Sequence, residues 1–141
     1  VIHVKVTMED EATPALRKLR KAVPSSLKGA IESIAKDVRN TAMASMLTPK
    51  SGIVYRKGTP TEHRASAPGE APASDTGDLL GSITVASRRN YTDVGSEKLH
   101  GMWMEKGTKR VKKRPYLAPA LKKHAPKLKR VLLAELKRRS R

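Results

Sequence analysis

Two long apolar stripes constrain this chain more than any other feature. Leu27, Ile31, Ile34, Val38, Ala42 and Met46 recur at spacings of four, three, four, four and four. Leu117, Leu121, Ala125, Leu128, Leu132 and Leu136 recur at four, four, three, four and four. Both spacings follow the helical period and draw one apolar line down about six turns. Lys28, Glu32, Lys36 and Arg39 lie off the first line. Lys122, Lys123, Lys127, Lys129, Arg130, Lys137, Arg138 and Arg139 lie off the second. A helix with one apolar face must bury it against a partner, and a sheet face is the natural one.

Strand patterns flank these helices. Ile2, Val4, Val6 and Met8 alternate with His3, Lys5 and Thr7, the period of a strand with one buried face. Thr13-Pro14 reads as the cap and first residue of a short helix carrying Leu16, Leu19 and Val23. Ser25 or Ser26 can cap the long helix that follows, and Pro49 ends it. Ile83, Val85 and Ser87 alternate, Arg88-Arg89-Asn90 reads as a turn, and Tyr91 to Val94 returns as a second strand closed by Gly95. Leu99, Met102 and Trp103 sit in a short helical or irregular piece, and Pro115 opens the final helix. Pro119 requires that helix to begin near it, and Pro126 falls at its middle. The expected fold is α+β: one domain over 1–141, with a small, mainly antiparallel sheet packed against two long amphipathic helices, the second over 117–138.

Residues 48–77 break this regularity. The stretch is dense in Pro and Gly, and Ile53, Val54 and Tyr55 form its one apolar cluster, read as a short edge strand. Thirty mostly irregular residues are long for a compact domain. Such a loop is either a binding arm or disordered until a partner arrives, and composition alone leaves the two open; the extended-arm reading follows from the resemblance carried by the stretches below.

Charge is distributed unevenly. Of the 30 Lys and Arg side chains in the chain, 15 fall between Lys106 and Arg141, against a single acid there, Glu135. Such a segment repels itself and calls for a negative partner, whether nucleic acid, an acidic protein surface or a phospholipid head group. The densest run, Lys109, Arg110, Lys112, Lys113 and Arg114, is suited to several phosphates. Lys122, Lys123 and Arg130 extend the basic surface. The run lacks the stacking aromatics of a single-strand binder and sits on no recognition helix, so any nucleic-acid contact would be to phosphate alone. Duplex DNA, an acidic protein and a merely solvated face all stay open on charge alone. The basic helix has no Trp or Phe wedge, which disfavours a membrane surface.

The pattern for catalysis is missing. There is no Cys. His3, His63, His100 and His124 show no ligand spacing. Glu105 lacks a second carboxylate and is expected to pair with Lys106, Lys109, Arg110 or a neighbouring subunit. Asp75 or Thr76 is expected to accept amide hydrogen bonds where order resumes. No glycine-rich phosphate loop occurs. Neither an enzyme, a cofactor nor a metal is expected. No apolar run approaches a membrane span, and the alternating N-terminus is not a leader pattern, so secretion and membrane insertion are not expected.

Three stretches carry a resemblance. Residues 65–83 read ASAPGEAPASDTGDLLGSI, residues 99–108 read LHGMWMEKGT, and residues 114–121 read RPYLAPAL. Their order and spacing resemble the tailed-bacteriophage family of small head–tail joining proteins, known as neck or tail-completion components. The matching positions are Pro68, Gly69, Pro72, Thr76, Gly77, Leu79, Ser82 and Ile83, then Met102, Trp103, Glu105, Gly107 and Thr108. They end on Pro115, Tyr116, Leu117, Pro119 and Ala120. The chain departs from the family pattern at His100-Gly101 or Met102-Trp103, where the family often has Tyr-Ala, and in its more basic last helix. The resemblance implies a virion protein, made in the host cytoplasm, that assembles as a ring around the DNA channel. Six copies are expected, with twelve the alternative. Its expected partners are adjoining connector, stopper, tail-terminator or tail-tube proteins and packaged DNA. It also implies an assembly interface at Pro68, Thr76, Leu79, Trp103, Glu105 and Tyr116. The competing reading is a free basic protein that binds DNA or RNA through phosphates.

Overall fold

The structure, a computed structural model, describes residues 2–4, 25–88 and 91–139. The expected helix at Thr13 to Val23, the strand positions Val6 and Met8, and the turn residues Arg89 and Asn90 lie outside the described residues. In chain order the elements are β1 (Ile2–Val4), α1 (Ser25–Leu47), β2 (Val54–Tyr55), β3 (His63–Arg64), α2 (Asp78–Gly81), β4 (Ile83–Ser87), β5 (Thr92–Ser96), α3 (Leu99–Lys106) and α4 (Leu117–Arg139). The fold is α+β, with two small antiparallel sheets and two long helices.

The larger sheet has the order β1-β5-β4, so the last strand lies between the other two. Ile2 pairs with Val94 and Val4 with Thr92 on one side. On the other, Val85 pairs with Val94 and Ser87 with Thr92. The Arg88 amide donates to the Tyr91 carbonyl and closes the β4–β5 hairpin. α1 lies against β4 and β5, and α4 runs along α1. The expected stripe of α1 is the core face: Leu27, Ile34, Val38, Ala42 and Met46 are buried, joined by Ala35. Polar bonds fix the register of helix on sheet. Arg39 Nε donates to the Ile83 carbonyl at 2.9 Å, and the Ser87 hydroxyl donates to Glu32 at 2.6 Å. At the helix C-terminus, the Thr48 hydroxyl and Lys50 ammonium take the Ser45 carbonyl, satisfying a group that helix ends leave open.

α4 departs from its simple stripe. Leu117 and Ala120 are buried, and Leu121, Leu128 and Val131 pack against the core. Ala125 is exposed. The buried face is therefore rotated toward Ala120 and Val131, as 3.6 residues per turn requires over five turns. Pro126 stands inside the helix on the exposed side. Its missing N–H takes away the usual donor to the carbonyl of Lys122, a residue that is itself exposed.

Residues 48–77 pack back on the body of this chain. β2 and β3 pair antiparallel, and the Gly52 amide and Ala65 carbonyl continue their ladder at 3.0 Å. A Cβ at Gly52 would lie 2.5 Å from that carbonyl, so only glycine allows the approach. The Glu70 carboxylate gathers the base of the loop, accepting from the Ser51 hydroxyl, the Ser51 amide and the Ala67 amide. These bonds, the Ser51 hydroxyl first, hold its carboxyl below the usual carboxylate range. Downstream, the Gly69 amide donates to the Lys113 carbonyl and Arg114 Nε to the Ser66 carbonyl, each at 3.1 Å. Ser66 and Pro72 are buried. Directed polar bonds thus order a segment whose few apolar residues do not form a core. Ile53 and Tyr55 stay exposed on it.

Candidate functional site

The three stretches singled out in the sequence meet at one joint, where α3 turns into α4. The start of α4 has no local cap: Tyr116 precedes the helix, and no Ser, Thr, Asp or Asn stands there. Glu105, near the end of α3, does the work from a distance. Its Oε2 accepts from the amides of Tyr116 (2.8 Å) and Leu117 (2.9 Å), and its Oε1 from the amide of Ala118 (2.8 Å). Pro119 has no amide to satisfy. One carboxylate therefore takes the donors exposed at this helix start, placing a negative charge at the positive end of the helix. Among the described residues Glu105 forms no ion pair with Lys106, Lys109 or Arg110; its oxygens accept from these amides instead.

Gly101 explains how close the joint is. A Cβ there would come within 2.8 Å of the Tyr116 hydroxyl and 3.0 Å of both Leu79 and Ser96. α3 rests on β5, α2 and Tyr116 through that missing side chain. Tyr116 is 2% exposed. Burial, followed by the nearby Glu105 charge, pushes its phenol up to about 12. Leu79 is also buried. Both side chains are closed off inside this chain, and Glu105 is half-buried and engaged by the amides above. Gly107 ends α3 at a φ of 75°, and a Cβ there would meet the Lys113 amide at 3.0 Å. The Thr108 amide donates to Val111, and Arg114 to Met104, closing the loop into α4.

Outside this joint lie the exposed side chains. Leu99, Met102 and Trp103 form an outward ridge on α3, with 65%, 37% and 45% of their surface exposed. Pro68 and Thr76 are exposed as well. Thr76 accepts weakly from the Asp78 amide (3.4 Å) and donates to its carboxylate (2.9 Å), as part of the expected turn. Asp75 takes no amide; it pairs instead with Arg56 at 2.7 Å, beside His63. Of the basic run, Lys109, Arg110, Lys112 and Lys113 are exposed. Arg114 differs from them: its guanidinium donates to Ser66 and Lys112 carbonyls and ties the loop down. Lys122, Lys123 and Arg130 are exposed on α4. Lys127 is set apart by an ion pair to Asp37 at 2.6 Å, which holds the Asp37 carboxyl low.

His124 hydrogen-bonds Thr41 across the two long helices at 2.8 Å, and His100 is exposed. Among the described residues, no three His, Cys, Asp or Glu side chains gather to hold a metal ion. No helix among them is long and apolar enough to cross a membrane. An apolar groove runs between α1 and α4, lined chiefly by Ile31, Ile34, Val38, Leu121 and Leu128.

Two features were missed by reading the sequence. The Glu105 cap had a signal: a helix opening on Tyr-Leu-Ala between two prolines has amides to satisfy and no local acceptor. The outward ridge also had one, since Leu99, Met102 and Trp103 share a face opposite Gly101. No family model matches this chain, and no curated protein or solved structure is significantly similar to it.

Proposed function

We propose that this chain is a structural component of the neck or tail top of a tailed bacteriophage. In this reading it is not an enzyme. It assembles as a ring, with six copies expected and twelve the alternative, and joins the DNA-filled head to the tail. One observation carries the reading: the three resembling stretches build a single joint that turns an apolar ridge outward. Glu105 and the amides of Tyr116 to Ala118 connect two of them, and Leu79 packs against the same joint from the third. A strongly basic chain has reason to keep large apolar groups inside. Leu99, Met102 and Trp103 on one exposed face are better suited to a protein contact than to water. A contact between unlike surfaces of identical copies closes into a ring when its rotation allows.

Trp103→Glu tests this reading in assembled particles. The isolated variant should fold normally, because the side chain is half exposed, while heads and tails fail to join. Cryo-microscopy of wild-type particles should show symmetry-related copies in contact through α3. Joined, infectious particles with the variant, or a wild-type chain bound with no copy beside it, would overturn the proposal.

A further inference from the structure

We propose that the outward face of α4 is a docking track for the phosphates of duplex nucleic acid. It rests on the reading above only for the source of the DNA.

α4 places its cations at a two-turn repeat. Lys122-Lys123 and Lys129-Arg130 stand seven residues apart, and Lys137 continues the series. All five are exposed. Seven residues are nearly two helical turns, so the groups stay on one side of the helix, about 10 Å apart along its axis. From Lys122 to Lys137 the track is about 22 Å long. Its inner edge is marked by Lys127, held at 2.6 Å to Asp37 of α1. Among the described residues, Lys122, Lys123, Lys129 and Arg130 have no acidic partner. The one acid of this helix, Glu135, is largely buried and faces the core side, where it binds Arg138. From Lys122 to Arg130 the track therefore presents one sign of charge among the described residues.

The chemistry on this face selects among polyanions. Protein interfaces draw their affinity from a buried aromatic or Arg anchor in a packed centre. Here the neutral residues are Pro119, Pro126 and Leu133, too sparse for such a centre. A lipid surface asks for an apolar wedge, which is also missing. Single strands are held by stacking on aromatics, and this face has none. Duplex DNA asks only for cations at intervals along a straight line, since it carries a charge every 1.7 Å or so of its axis. A helical track about 22 Å long spans roughly six base pairs at about 3.4 Å each. With no Asn, Gln, Ser or Thr on the track, nothing reaches for base edges, so the contact is blind to sequence. The loop cations differ in arrangement. Lys109, Arg110, Lys112 and Lys113 crowd one tight turn, pinned by the Thr108–Val111 hydrogen bond, and do not follow a line of phosphates.

The test is fluorescence anisotropy of a 30-base-pair duplex with the isolated chain, across a salt series. Its oligomeric state is measured separately by light scattering. The track variant is K122Q/K123Q/K129Q/R130Q/K137Q, and the loop variant is K109Q/R110Q/K112Q/K113Q. Each phosphate contact contributes about 0.9 to the slope of log K against log salt. The track variant should therefore lose a slope of roughly 3 to 5 and bind roughly 10²–10³-fold more weakly at moderate salt. The loop variant should keep most of the slope, and a scrambled duplex should bind the wild type equally well. An unchanged slope in the track variant overturns the proposal, as does tighter binding to polyglutamate or phosphatidylserine vesicles than to DNA. Because the assay uses the free chain, it can succeed while ring assembly fails, and the reverse.

Discussion

The α3–α4 joint and the outer face of α4 lie within a few residues of each other and are built in opposite ways. At the joint, one carboxylate accepts three amides, one glycine admits a tyrosine, and nearly every group has a directed partner. On the outer face, cations repeat at long intervals, four of them with no acidic partner among the described residues. Directed bonds at fixed distances define a conformation, and that is what the joint supplies. Exposed charges contribute little to folding and much to long-range attraction. The two regions divide one helix: its first turn is anchored by directed bonds, and its outer side carries exposed charge.

Breaking the anchored side should have the largest effect. Tyr116→Ala removes a fully buried ring from the joint and should cost roughly 3–5 kcal/mol in urea unfolding. A loss under 1 kcal/mol would mean that the joint does not anchor α4. The same residue should give an alkaline signature. Its folded phenol titrates at about 12, against about 10 in an unfolded chain. The folded state holds the proton more tightly, so its stability is full below pH 10 and falls as pH rises toward 12, by up to roughly 2–3 kcal/mol. Tyr116→Phe should flatten this part of the stability–pH curve. Glu105→Ala should cost about 2 kcal/mol, since it strips the cap from α4 and leaves half-buried amides without an acceptor. Glu105→Gln, which still offers one carbonyl oxygen, should recover part of the loss. Hydrogen exchange at Leu117 and Ala118 locates the effect, and equal stability of all three forms would remove the cap from the account.

Much of the fold was legible because burial leaves a period in the sequence. The α1 stripe, the β4–β5 hairpin and the onset of α4 near Pro115 all follow from spacing. The joint was harder to read because its main bonds join residues 11 to 13 positions apart in sequence, and no local pattern encodes a remote cap. Residues 48–77 stayed open in the sequence for a related reason. Their order comes from Glu70, Arg114 and the absent side chain of Gly52, not from an apolar repeat. The candidate surface was legible in composition but not in arrangement. Counting charges singles out residues 109–114 as the densest cluster; only the structure separates Arg114, which ties down a loop, from the lysines beside it, and Lys127, which meets Asp37, from Lys123 and Lys129.

The smallest expected effect is the sharpest test of the contrast. Neutralising Lys122, Lys123, Lys129, Arg130 and Lys137 together should shift unfolding free energy by less than about 0.5 kcal/mol per site, because exposed substitutions away from structural features rarely do more. The sign should be toward greater stability at low salt. Like charges seven residues apart repel weakly along the helix, and removing them relieves that repulsion without opening a cavity. The gain should shrink as salt rises and the Debye length falls below the spacing of the pairs. A thermal melt of the variant at two ionic strengths is sufficient. A large loss of stability would show that these side chains hold the fold after all, and would place the outer face of α4 in the same class as the joint.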